Sequence, residues 1–113
     1  MLITAFQQNS ELAESDFYMA KKISRSELVI EASLSDDEDR LVMRILDYYE
    51  VIATASRQRY LDPHVVANLR GGAMCAAYDI CKTYIQIRRE KTGVRIYSNF
   101  EWFYNLNRRR LAD

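Results

Sequence analysis

The stretch from Asp62 to Gly93 constrains this chain more than any other. Asp62 carries a short carboxylate suited to accept from the free N–H groups of a helix start, and Pro63 follows at the position where a missing N–H costs nothing. From there Val66, Leu69, Ala73, Ala76, Ile80, Tyr84 and Ile87 recur in steps of three and four, and Thr92-Gly93 supplies a stop. The spacing predicts one helix over about 62–92, which at 1.5 Å per residue is about 45 Å long. In a chain of 113 residues such a rod must be the spine on which everything else packs.

The remaining segments read as helices too. Ser35 and Glu38 form a capping box, and Asp36, Asp37 and Asp39 put negative charge on the positive end of a helix dipole. Leu41, Ile45, Tyr48, Tyr49 and Ile52 continue at helical spacing, which predicts a second helix over about 36–58, antiparallel to the third because the connection is short. The run SDDED lacks the alternating ligands and Gly of a calcium loop, so it is read as helix-start chemistry. Upstream, Leu12, Phe17, Ala20 and Ile23 precede Leu28, Val29 and Ile30, and the capping-box spacing of Ser24 and Glu27 predicts two helices meeting near Ser24.

The closing segment, YSNFEWFYNLNRRR, carries a further box in Ser98 and Glu101. Phe100, Phe103 and Leu106 are expected on the spine, with Trp102 or Tyr104 partly on another face. No segment alternates with period two. The expected fold is therefore all-α, a single domain over 1–113 made of four to five helices, with 36–109 as its better-defined core and 1–34 as an N-terminal helical region. Gly71 and Gly72 fall inside the spine at a cost of about 1 kcal/mol each. With Ala73, Ala76 and Ala77 they are read as a smooth strip for close packing.

These segments resemble a bacterial family of small helical domains of unknown function. The resemblance covers 36–109 and rests on RILDYYEVIATASR, the turn RYLDPHVV, the Gly-Gly helix NLRGGAMCAAYDICKTYIQIRRE and the closing YSNFEW. Many members carry a transmembrane helix ahead of this region, and none is read in this sequence. The resemblance implies a helical fold and marks Glu50, Gly71, Gly72, Arg88, Arg89, Phe100, Glu101 and Trp102 as positions of interest. Arg59 stands where the family commonly has Gly, at the end of the second helix. A left-handed Arg59 costs about 1 kcal/mol.

Charge then narrows the function classes. The 16 Lys and Arg balance 16 Asp and Glu, yet residues 1–56 hold 5 against 11, a net −6, and residues 57–113 hold 11 against 5, a net +6. Such a split bears on partners and self-association. Cys75 and Cys81 lie six apart on one helix, too far along its axis to bridge, and have no second Cys/His pair for zinc, so both are read as reduced packing residues. No metal or cofactor motif is present. With no signal peptide or 18-residue apolar run, the expected setting is soluble and cytoplasmic.

Three functions are weighed on these residues. Arg59 and His64, separated by four residues, resemble the Arg and His of small all-helical, metal-independent ribonucleases. There the His acts as general base and the Arg stabilises the transition state. Arg88, Arg89, Lys91 and Arg95, with Arg108 to Arg110 and nearby aromatics, could bind single-stranded RNA or DNA, although a pI of about 6.6 is low for that role. The favoured expectation is a non-enzymatic protein-binding module, docking on another protein or on itself as a homodimer through Tyr48, Tyr49, Tyr60, Tyr97, Trp102 and Tyr104 with rim Arg108 and Arg109. Acting by occlusion, it would resemble small inhibitory proteins of phages and prophages. Glu50, on a largely apolar stretch, needs a partner, and Arg88 or Arg89 is expected to supply a structural ion pair.

Overall fold

A computed structural model describes residues 10–112. It holds four α-helices: α1 (Ser10–Ser24), α2 (Asp36–Arg57), α3 (Pro63–Thr92) and α4 (Ser98–Ala112), with one 3-10 turn at Glu31–Ser33. Among the described residues there is no strand, so the fold is an all-α bundle as the periodicities predict. The first nine residues of the expected N-terminal region lie outside the described residues. α2 and α3 form an antiparallel hairpin, with α1 packed on one flank and α4 on the other. Arg44 and Tyr48 mark the α1 side of α2, whereas Glu50, Thr54 and Arg57 mark the α4 side.

Local chemistry sets the long helices where the sequence places them. Ser35 Oγ accepts from the Glu38 N–H at 3.1 Å and Glu38 accepts from the Ser35 N–H at 3.1 Å, the reciprocal box that opens α2. Asp62 accepts from the His64 N–H at 2.9 Å to open α3, and left-handed Gly93 closes it. α2 ends in a Schellman motif, with the Tyr60 N–H donating to Ala55 O and the Arg59 N–H to Ser56 O. Arg59 is left-handed there, at φ 66°.

Two expected capping boxes are replaced by other arrangements. No helix begins at Ser24: α1 closes there with a second Schellman motif, in which Ser26 is left-handed at φ 53°. Glu27 turns back to Lys22 at 2.9 Å. The chain then runs extended, and Val29, fully buried, donates its N–H to Ile80 O at 2.9 Å, stitching the connector to α3. At α4 the Ser98 and Glu101 box gives way to a cap from another helix. Glu50 of α2 accepts from the Phe100 N–H at 2.8 Å and from the Asn99 side-chain amide at 3.0 Å.

Glu50 therefore does not form the expected ion pair with Arg88 or Arg89. A carboxylate beside the free N–H groups of a helix start gains both the hydrogen bond and the dipole, which Arg89 could not offer from its place against Glu101 at 2.8 Å. Arg88 lies against Met43 instead, with Nη2 3.2 Å from its sulfur.

The core is aromatic. Tyr49, Phe100, Tyr78 and Tyr104 contact in series across α2, α4 and α3, at centroid distances of 5.5, 5.1 and 4.4 Å. The buried stripe of α3 differs from the expected one: Pro63, Val66, Met74, Ala77, Cys81, Tyr84 and Ile85 are buried, while Leu69 is 63% exposed and Ala73 lies on the surface. At about 100° per residue, Leu69, Ala73 and Ala76 lie to one side of Val66 whereas Met74, Ala77, Cys81 and Ile85 lie to the other, so Val66 and Tyr84 are shared edge positions and the rest of the expected series turns away from the buried stripe. The Gly pair also departs from close packing. A Cβ on Gly71 would meet Ala67 at an ordinary 3.7 Å, and one on Gly72 would meet nothing within 4 Å.

Two measurements follow. In urea unfolding, Arg59→Gly and Gly72→Ala should each stabilise the domain by about 0.5–1 kcal/mol, the first by relieving a left-handed non-glycine and the second by restoring helix propensity in open space. Glu50→Ala should cost about 2–3 kcal/mol by leaving the Phe100 N–H without an acceptor, and Glu50→Gln about half as much, since the amide oxygen still caps.

Candidate functional site

Burial sorts the expected partner-binding aromatics first. Tyr49, Tyr97 and Tyr104 are 1%, 6% and 3% exposed and so are not surface anchors. Each ring fills the core and supplies apolar area, and two of the hydroxyls reach surface carboxylates: Tyr97 donates to Asp47 at 2.8 Å and Tyr104 donates to Asp79. Tyr84 and Tyr18 follow the same rule, donating to Asp39 at 2.7 Å and to Glu38 at 2.9 Å. Burial, reinforced by the carboxylate partner, pushes the Tyr18, Tyr84 and Tyr97 phenols well above the usual tyrosine range. Glu38 is held below the usual carboxylate range by the Ser35 N–H first and by Tyr18 next.

Tyr48 and Trp102 are half-buried, and Tyr60 stands 81% exposed. The Arg57 guanidinium lies 5.5 Å over the Trp102 ring and donates to Asn99 at 3.2 Å, at the end of the bundle where Tyr60 emerges. Beyond Tyr60, Val65 and Leu69 are 51% and 63% exposed on the outer face of α3. That face continues through Asn68, Gly72, Ala73 and Ala76, so from Val65 to Ala76 it presents no Asp, Glu, Lys or Arg. Sequence reasoning missed it by assigning Leu69, Ala73 and Ala76 to the core. The usable signal was the absence of charge along three turns of a helix that is otherwise charged on its outside.

The basic residues are largely engaged. Arg89 and Arg95 both hold Glu101, at 2.8 and 3.2 Å, and Lys91 holds Glu31 at 2.7 Å. Arg89 also donates through Nε to Ile96 O at 2.8 Å. Arg108 and Arg109 are exposed, with Arg108 donating to the Tyr104 hydroxyl at 2.9 Å, and the Arg110 side chain lies outside the described residues. Arg59 and His64, the pair resembling a ribonuclease site, are both exposed, one in the turn and the other in the first turn of α3.

Cys75 and Cys81 are free and buried, and burial pushes the Cys81 thiol up to about 12, which makes it inert at neutral pH. Among the described residues no three His, Cys, Asp or Glu side chains gather as a metal ion would require. Nor is any helix among them long and apolar enough to cross a membrane.

No curated protein and no solved structure matches this chain. One family does, over residues 2–108, which is nearly the whole chain and extends past the 36–109 stretch on its N-terminal side. With its helical spine, its Gly-Gly pair and its closing aromatic helix on the page, the chain belongs to the family described as a domain of unknown function, DUF4760.

Proposed function

We propose that the domain is a non-catalytic docking module that binds another protein through the uncharged outer face of the first half of α3, acting as a small inhibitor or adaptor by docking or occlusion. One observation carries this reading: Tyr60, Val65 and Leu69 stand 81%, 51% and 63% exposed beside a run of small residues, Gly72, Ala73 and Ala76. Covering apolar surface is favourable by about 25 cal/mol per Å². Small side chains let a partner's backbone approach, and an exposed Tyr ring is the type of side chain that anchors interfaces. Trp102 under Arg57 extends the aromatic surface at the same end. A nucleic-acid role is less well supported, because Arg89, Lys91 and Arg95 are already held by carboxylates. The two buried free cysteines suit a reducing setting, and we place the module in the cytoplasm on that ground.

A photo-crosslinking residue at position 69, in cells that make the protein, should capture a discrete protein species, and Val65→Asp in the same chain should abolish it. The same probe at exposed Arg40 should capture none. Equal capture at both positions, or none at position 69, would contradict the reading, and a captured species of twice the chain's mass would identify the partner as a second copy.

A further inference from the structure

A second surface feature lies away from the docking face, in the groove between the second half of α3 and α4. Lys82, Arg89, Glu101, Tyr104, Asn105 and Arg108 line a cavity of about 560 Å³ there. That volume falls within the roughly 300–1,000 Å³ of small-molecule pockets. Three cations face one carboxylate, and that carboxylate is already answered on two sides, by Arg89 at 2.8 Å and by Arg95 at 3.2 Å.

The hydrogen-bond inventory points the same way. Arg89 gives Nε to Ile96 O and Nη1 to Glu101, which leaves Nη2 buried with no acceptor. The Tyr104 hydroxyl donates to Asp79, accepts from Arg108 and also interacts with Lys82, so it gathers both cations at one point of the groove. Lys82 sits 5.0 Å over the Tyr104 ring and Arg108 5.6 Å from it, with Asp79 3.4 Å from the Lys82 ammonium. The Asn105 side chain is exposed beside them. Lys82 and Arg108 each keep further N–H groups beyond these contacts on the exposed wall of the groove, where an incoming anion can accept charge-assisted hydrogen bonds from both.

We infer that this groove binds a small anionic ligand bearing a phosphate or carboxylate group, held by Lys82 and Arg108 above the Tyr104 ring. The inference does not rest on the docking reading, which uses the other half of α3. The probes are pyrophosphate and, separately, citrate, titrated into the full chain while amide shifts are followed at ionic strength held constant with sodium chloride. Saturable shifts are expected at Lys82, Asn105 and Arg108, and whichever probe binds more tightly assigns the acid group. The double variant Lys82→Met/Arg108→Gln should weaken binding by about tenfold or more, whereas Lys91→Met, outside the groove, should leave it unchanged. Shifts no larger than those from sodium chloride, shifts spread over all basic residues, or equal binding by the double variant would overturn the assignment.

Discussion

A tyrosine packed in or against the core keeps its hydroxyl satisfied by an acceptor, and four tyrosines of this bundle do so with a carboxylate from another helix. Tyr18 ties α1 to α2 through Glu38, Tyr84 ties α3 to α2 through Asp39, Tyr97 fixes the entry to α4 through Asp47 of α2, and Tyr104 ties α4 to α3 through Asp79. In each case the ring contributes apolar area while the phenol reaches the rim, so one side chain serves packing and orientation together. The acidic start of α2 consequently has two tasks. Glu38 caps its own helix and also receives Tyr18 from α1, while Asp39 lies in the first turn and receives Tyr84.

The same economy explains part of the charge split along the sequence. Carboxylates of the acidic half are used by elements of the basic half: Glu50 on the start of α4, Asp47 on Tyr97, Glu31 on Lys91 at 2.7 Å, and Asp16 on Arg70 at 3.9 Å. The exposed pairs among these add little stability. The buried termini are different, because an uncapped N–H inside the bundle costs more than an ion pair in water gains. What the split leaves over is local: an uncharged strip on one half of α3 and a donor-rich groove on the other half.

Much of the fold was legible, and the reason is locality. The Ser35 box, the Asp62 cap and the Gly93 stop are each decided within three residues of sequence, and all three hold in the structure. The left-handed cost at Arg59 was legible for the same reason. Boxes at Ser24 and Ser98 had the right letters but lost to other partners: Lys22 at the end of α1 takes Glu27, Arg89 and Arg95 take Glu101, and the start of α4 is capped by Glu50 of α2, which only tertiary structure brings there. The candidate surface was much less legible. A tyrosine reads as a surface residue until its distant partner is known: Tyr97 and Tyr104 find acceptors in Asp47 and Asp79, and Tyr49 packs its ring on Phe100 of α4. Leu69 reads as a core residue because it follows Val66 by three, but Val66 sits at the edge of the buried stripe and the step to Leu69 turns away from Met74, Cys81 and Ile85.

If the phenol-to-carboxylate ties hold the bundle, stability must depend on the phenols staying protonated. The Tyr18, Tyr84 and Tyr97 phenols ionise at higher pH in the fold than in the unfolded chain, so their stabilisation is fully present below the ordinary tyrosine range near pH 10 and is lost as pH climbs through and beyond it. The direct test is an alkaline titration that follows phenolate absorbance and helical circular dichroism on the same sample. The account predicts that most of the tyrosine absorbance change arrives above the ordinary range and together with loss of the helical signal. Phenolates that appear across the ordinary range while the helices stay intact would contradict it.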